Sequence, residues 1–415
     1  MLKQALVTLS LSLMLTSTCA LAADNSIPDP FAALKQGKTQ EVAPKIDPNT
    51  PIVIPEPPTF NAQSWVLMDG ATGQVLFEHN GHEKIWPASL TKMMTSYVIG
   101  MEFKAGRLRP EDEVVIPEDA WAKNYEDSSK MFIEVGKSIK VDDLNKGIII
   151  QSGNDACVAM AIHLAGSEDG FVSVMNTYAK QLGLNNTHFS NVHGLFSEDN
   201  YSTAYDMAKL GRALIYDLPE EYSVYSQKEF TFNGIKQYNR NRLLWDKSLN
   251  VDGIKTGHLS QVGYNLVASA VSGNMRLIAS VIGAQSEAER ASFCKQMLNY
   301  GFRFFETYTP FAQDQSILDR EVRMGETDRV SLVVKEPINL VVPRGAQNRI
   351  KVNYKLKNAI FQAPIALGEE LGVIDFKLDD KIIAQYPLVA KEEIKEGGFF
   401  SRLWDKIYLF FASEE

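Results

Sequence analysis

The chain has 415 residues, of which 45% are apolar, 22% charged and 10% aromatic, with a mean hydropathy of −0.16. That is the composition of soluble globular domains, and it excludes disordered, collagen-like and polytopic membrane architectures. A net charge of −9 with no strong basic patch leaves no field for gathering phosphates, so no nucleic acid is read as a partner, and three cysteines are too few for a disulfide scaffold.

The first elements in chain order are not part of a fold. Met1-Leu2-Lys3, an apolar run from Leu6 to Leu15 and Ala20-Leu21-Ala22 make a charged start, a short apolar core and a small-x-small cleavage signature, so residues 1–22 read as a secretory signal peptide. The run is shorter than the roughly 20 residues of a spanning helix. Residues 23–60 hold eight of the 17 prolines, which suits an extended tether and neither a helix nor a central strand.

Residues 61–308 read as one α/β domain. Ser64 to Asp69 and Gln74 to Glu78 flank Gly70-Ala-Thr-Gly73, a hairpin signal. Helix-rich sequence runs from about Ala88 to Asp217, and strand-like runs return at Phe230-Thr-Phe, Val251 to Lys255, Gly263 to Ala270 and Met275 to Ile282, followed by a helix from about Glu287 to Phe305. Strands at both ends with helices between them predict a sheet completed by both halves of the chain. Cys157 and Cys294 each sit in an apolar helical pattern and are expected as two separate buried thiols.

Residues 309–391 carry short strand-like runs at 330–334, 338–342, 350–356 and 371–376, separated by Gly, Pro or charge, and predict a small all-β sandwich domain. In residues 392–415, Phe399, Phe400, Leu403, Trp404, Ile407, Phe410 and Phe411 share one helical face opposite Arg402, Asp405 and Lys406. Such a helix is too short to span a bilayer and suits lying in a membrane surface; the same face could pack on its own protein or on a twin subunit.

Three short motifs occur in order: Ser89-Leu-Thr-Lys92, Ser152-Gly-Asn154 and Lys255-Thr-Gly257. Second copies exist at Ser292-Phe-Cys-Lys295 and Ser272-Gly-Asn274, but the first lies in the late helix and the second reads as a turn between strands. On a helix, residues i and i+3 share a face, so Lys92 reaches the Ser89 hydroxyl. A serine hydroxyl needs a base to become a nucleophile. A neutral lysine can be that base where burial and a neighbouring cation lower its pKa, and Lys255 is the candidate cation. His79-Asn-Gly-His82-Glu83 has superficial zinc-ligand spacing, but Asn80-Gly81 signals a turn, so neither a metal nor another cofactor is assigned.

The motif set is close to the signature of penicillin-binding proteins and class A β-lactamases, with Gly153 where that signature has Asp. The wording at Pro87 to Thr95, Gln151 to Ala156, Asp252 to His258 and Gly301 to Glu306 closely resembles low-molecular-mass penicillin-binding proteins that are serine D-alanyl-D-alanine carboxypeptidases. The resemblance extends from about Phe60 to the C-terminus. It implies a β-lactamase/transpeptidase-like antiparallel sheet flanked by helices, removal of the terminal D-alanine from peptidoglycan pentapeptide stems, and acylation by β-lactams. It further implies a periplasmic enzyme held at the outer face of the inner membrane by its C-terminal helix.

Residue by residue, it implies Ser89 as the acylated nucleophile, Lys92 as its base and Ser152 as the proton relay. Asn154 would hold the substrate amide and bond Lys92, Lys255 and Thr256 would bind an anionic terminus, and Gly257 would let a peptide backbone lie close. The backbone N–H groups of Ser89 and His258 would form the oxyanion hole, and Arg290 would help bind the carboxylate. A β-lactamase is the alternative, but the nearest look-alike of its deacylating E-x-x-L-N segment, Val141-Asp-Asp-Leu-Asn145, has Val for Glu and precedes Ser152. A non-catalytic envelope scaffold is the third reading.

Overall fold

A computed structural model describes residues 52–399. The signal-peptide reading, the proline-rich segment before residue 52 and the amphipathic face beyond Phe399 lie outside the described residues.

The first hairpin is β1 (Ser64–Asp69) and β2 (Val75–His79). Helix α1 (Lys92–Lys104), the short hairpin β3 (Glu113–Val115) and β4 (Ser138–Lys140), and helices α2 (Val141–Lys146), α3 (Asn154–Ala165), α4 (Glu168–Gln181), α5 (Ala204–Asp217) and α6 (Pro219–Tyr222) follow. A second hairpin, β5 (Glu229–Phe232) and β6 (Ile235–Tyr238), precedes the long strands β7 (Asn250–Leu259), β8 (Gly263–Ser272) and β9 (Met275–Ala284) and helix α7 (Glu287–Phe304). Ser167, Thr203 and Ser286 cap α4, α5 and α7 by accepting the backbone N–H three residues on.

The main sheet has the order β2-β1-β9-β8-β7 with antiparallel neighbours throughout, so the N-terminal hairpin does join strands from the far half of the chain. β8 and β9 read as nearly unbroken apolar runs because both faces are covered. Val66, Met68, Ile278 and Ile282 share a core with α1 and α5, while Leu67, Leu277 and Ala279 share another with Cys294, Met297 and Leu298 of α7. Cys157 and Cys294 are free and buried in these separate clusters.

The C-terminal part is β-rich. Its strands are β10 (Phe305–Phe311), β11 (Leu318–Arg323), β12 (Arg329–Val333), β13 (Ile338–Pro343), β14 (Lys351–Leu356), β15 (Phe361–Gln362), β16 (Glu370–Leu378) and β17 (Lys381–Ala390). They form a six-stranded sheet, β14-β16-β17-β12-β11-β15, and a separate pair, β10-β13, over one shared core that includes Leu332, Leu340, Phe376 and Leu388.

The end of the proline-rich segment differs from a free tether. Tyr300 donates its hydroxyl to the Pro55 carbonyl at 2.7 Å, Phe60 sets its ring against Trp65 and Phe293, and Ile52 packs on the β-rich core. Proline forbids helix here, but an extended chain carrying apolar side chains still finds apolar surface to cover.

Candidate active site

Trp86 and Pro87 lead into a tight helical turn, Ala88–Thr91, that continues into α1. Ala88 stands at φ 52°, a left-handed conformation that costs a non-glycine residue about 1–3 kcal/mol and marks a backbone held by its surroundings. Two glycines do the holding. A Cβ on Gly194, whose φ is 84°, would fall 1.8 Å from the Ala88 carbonyl oxygen, and one on Gly257 of β7 would meet Pro87 O at 3.0 Å and Ala88 Cβ at 3.2 Å. Gly257 therefore admits the turn that bears Ser89, a close backbone belonging to the protein itself.

One helical turn after Ser89, the buried Lys92 donates from Nζ to Asn154 Oδ1 at 2.7 Å and to the His193 carbonyl at 2.5 Å, and lies 3.1 Å from Ser89 Oγ. The first two partners can only accept, so they occupy two N–H bonds. When the amine is neutral, its lone pair is left for the serine hydroxyl. Burial is the largest cause that lowers the Lys92 pKa to about 8, and Arg240 supplies the cation that lowers it further. Lys255, the cation that the sequence points to, also acts on Lys92, because the repulsion between the two amines is mutual. Lys255 is itself buried, and burial, followed by the charges of Lys92 and Arg240, pulls its pKa well below the usual lysine value.

Ser152 follows a π-helical turn, Gly147–Gln151, and adopts φ 63°. Such one-turn widenings recur at functional sites. Its hydroxyl is buried without a hydrogen-bond partner among the described residues and borders the same cleft as Ser89, which leaves it available to a group in that cleft. Asn154 opens α3 and is fixed from both ends, its Nδ2 donating to Ser128 Oγ at 2.8 Å and its backbone N–H to Ser129 O at 2.9 Å. The next residue, the buried Asp155, accepts from the backbone N–H groups of Met131, Ile133 and Ala156 and so ties the loop carrying Ser128 to α3. At Gly153 a Cβ would already lie 2.9 Å from Asp155 Oδ1 and 3.1 Å from Met131 N, so the loop fills the space that the Asp of the related signature would need.

The opposite wall is β7, an edge strand of the sheet. Thr256, Gly257 and His258 line the cleft there, and an edge strand has unpaired backbone groups to offer a ligand. Arg290 also lines the cleft, but it spends Nη1 on the Gly257 carbonyl at 3.0 Å and Nη2 on Glu287 at 3.4 Å, so it braces β7 as well as adding charge. Both histidines near the cleft are engaged elsewhere. His193 Nδ1 accepts from the Leu195 N–H, and its pKa is lowered to about 3 by burial and by Lys92, while His258 packs on the Tyr264 ring at 4.2 Å. The Lys92 amine is within hydrogen-bond distance of the Ser89 hydroxyl, at 3.1 Å.

The fold brings all the motif residues together, and the unused copies are elsewhere: Lys295 pairs with Asp246, and Asn274 sits in the β8–β9 turn with its Nδ2 on Thr307 O. Sequence reasoning missed Arg240, Ser128, Asp155 and the His193 carbonyl. Asn239-Arg240-Asn241 carries no motif, and a backbone carbonyl leaves no residue-type signal.

Residues 52–286 match the sequence family described as D-alanyl-D-alanine carboxypeptidase, and residues 305–396 match the C-terminal domain of penicillin-binding protein 5. The chain belongs to the D-alanyl-D-alanine carboxypeptidase family. It is 50% identical over 368 residues to the D-alanyl-D-alanine carboxypeptidase DacA of Escherichia coli, a match covering 88% of this chain and 91% of that one. It is 49% identical to DacC of the same organism, over 86% of this chain and 90% of the relative. Among solved structures, penicillin-binding protein 5 of Haemophilus influenzae aligns with a TM-score of 0.79 at 46% identity, covering 82% of this chain and all of that one. This carboxypeptidase is accordingly a serine-type hydrolase and a penicillin-binding protein, with the helix-and-sheet catalytic domain and β-rich second domain of its relatives.

Proposed function

We propose that the enzyme removes the terminal D-alanine from peptidoglycan pentapeptide stems through an acyl-enzyme on Ser89, and that β-lactams acylate the same oxygen. The observation that carries this reading is the neutral-amine geometry: Lys92 has two N–H bonds committed and its lone pair left for Ser89 Oγ at 3.1 Å. Lys92 takes the hydroxyl proton as Ser89 Oγ bonds to the carbonyl carbon. The backbone N–H groups of Ser89 and His258 receive the developing negative charge, a type of contact worth roughly 10²- to 10³-fold in rate per donor. The peptide C–N bond then breaks, and the proton passes from Lys92 through Ser152 to the departing amine. Water hydrolyses the ester and returns the proton to Ser89.

Lys255 and the Arg240 and Arg290 guanidiniums supply the positive side of the cleft for the substrate carboxylate, Thr256 donates its hydroxyl to it, and Asn154 positions the peptide amide. D-alanine release from a D-Ala-D-Ala peptide, together with a penicillin adduct located at Ser89 by mass spectrometry, tests the assignment. A Ser89→Ala enzyme with full activity would overturn it.

The N-terminal signature supports export, cleavage after about residue 22 and a periplasmic location, and the prolines before residue 52 support a spacer there, since residues 52, 55 and 60 already contact the folded part. The change from the helix-flanked sheet to the β-rich part, which comes where β10 begins at Phe305, supports two domains divided a few residues before the 308/309 boundary expected from the sequence. The apolar face over residues 399–411 supports a peripheral anchor on the outer face of the inner membrane. Removal of residues 393–415 should release the enzyme from membrane fractions, and undiminished membrane association of the truncated enzyme would refute the anchor.

A further inference from the structure

The loop that supplies the His193 carbonyl continues through Gly194, Leu195 and Phe196, all of which border the cleft. Leu195 is 39% exposed and Phe196 45%, and they are large apolar residues in a cleft whose wall is otherwise mostly Ser, Thr, Asn and charged groups. Exposed apolar surface placed beside a reacting centre is where a ligand's own apolar surface gains most.

The loop is built rather than loose. Asn191 Oδ1 accepts from the Gly194 N–H at 2.7 Å, and Asn191 Nδ2 donates to the Leu195 carbonyl at 3.0 Å. Ser190 Oγ donates to Ser197 Oγ at 2.9 Å. The Phe196 ring meets Trp86 edge-on, with centroids 5.2 Å apart, and Trp86 begins the turn that presents Ser89. Position follows from the two glycines. Gly194 abuts the carbonyl of Ala88, whereas Gly257 abuts its Cβ, so the loop and β7 flank the nucleophile turn on different sides. β7 is the side that carries Lys255 and Thr256 for the carboxylate of the leaving group. The Leu195–Phe196 side is left for the other half of the substrate, the acyl half.

We propose that Leu195 and Phe196 form an apolar shelf that selects acyl donors carrying an apolar group on the carbonyl side of the bond attacked by Ser89. In a penicillin that group is an aryl side chain, and in a peptide it is the aliphatic part of the residues preceding the terminal D-alanine. The inference rests on the acyl-enzyme reading above and adds the specificity of its acyl subsite.

The test is a ratio. Second-order acylation rate constants are measured for benzylpenicillin, which has an aryl side chain, and for 6-aminopenicillanic acid, which has none. In Phe196→Ala and Leu195→Ala the preference for benzylpenicillin should fall roughly three- to tenfold, the range of an aromatic contact, and Phe196→Leu should retain most of it. An unchanged ratio in both alanine variants, or both rate constants falling in step, would overturn the shelf alone. Absence of any adduct at Ser89 in the parent enzyme, with either compound, would overturn the acyl-enzyme reading and the shelf together.

Discussion

With Lys92 as the proposed base, the pH dependence of acylation reports on its protonation. Only the neutral amine can take the Ser89 proton, and its pKa is lowered to about 8, chiefly by burial and further by Arg240. With a pKa near 8, about one enzyme in ten carries the neutral amine at pH 7 and about nine in ten at pH 9. The second-order rate constant for acylation by a penicillin should therefore rise about tenfold from pH 7 to pH 9, and fall by close to tenfold per unit below pH 7. The ascending limb bends near pH 8. Arg240→Gln removes a cation that disfavours the protonated form of Lys92, so the Lys92 pKa should rise and the ascending limb should move to higher pH, slowing the enzyme at neutral pH. Stopped-flow or quench-flow measurement of acyl-enzyme formation over pH 5.5 to 10 gives the profile. A rate independent of pH between 6 and 9, or a limb that moves to lower pH in Arg240→Gln, would refute an amine base at this position.

The supporting contacts make sharper demands. Asp155→Asn keeps one acceptor oxygen but turns an NH₂ toward the backbone N–H groups of the 131–133 segment, so unfolding free energy should fall by about 1–3 kcal/mol, read as a lower denaturant midpoint; an unchanged midpoint would show that the loop is held elsewhere. Gly257→Ala places a methyl 3.0 Å from Pro87 O and should displace the Ser89 turn, lowering the acylation rate by about tenfold with little change in melting temperature. Gly153→Asp would force a carboxylate in beside the buried Asp155, and overpacking of this kind costs about 1–3 kcal/mol. A variant as stable and as active as the parent would mean that the Met131 loop gives way freely.

The parts of this enzyme that were legible in its sequence are those where chemistry or burial restricts residue type locally. Serine and lysine three apart occur twice, and it is the order with Ser152-Gly-Asn154 and Lys255-Thr-Gly257 that singles out Ser89 and Lys92; β8 and β9 are legible because two layers of side chains cover them and their apolar runs are long. β17 was missed for a physical reason. Its Pro387 reads against a strand inside a sheet, yet β12 reaches only Val389 and Ala390 of β17, so the proline lies where that side of the strand has no neighbour to bond. Hairpin β3–β4 was missed because three residues in each strand are too few to show an alternation. The site's electrostatics were legible only in part: burial and the Lys255 charge can be read from the motifs, but the second cation depends on how residues 148 positions apart are folded together, as Lys92 and Arg240 are. The same holds for the His193 carbonyl, which any residue at that position would offer. Its place is set by Gly194, whose missing side chain lets the loop close on Ala88. Specificity should consequently vary more freely than catalysis in this fold, because Leu195 and Phe196 hang from that same glycine-anchored loop without contributing a proton or a charge.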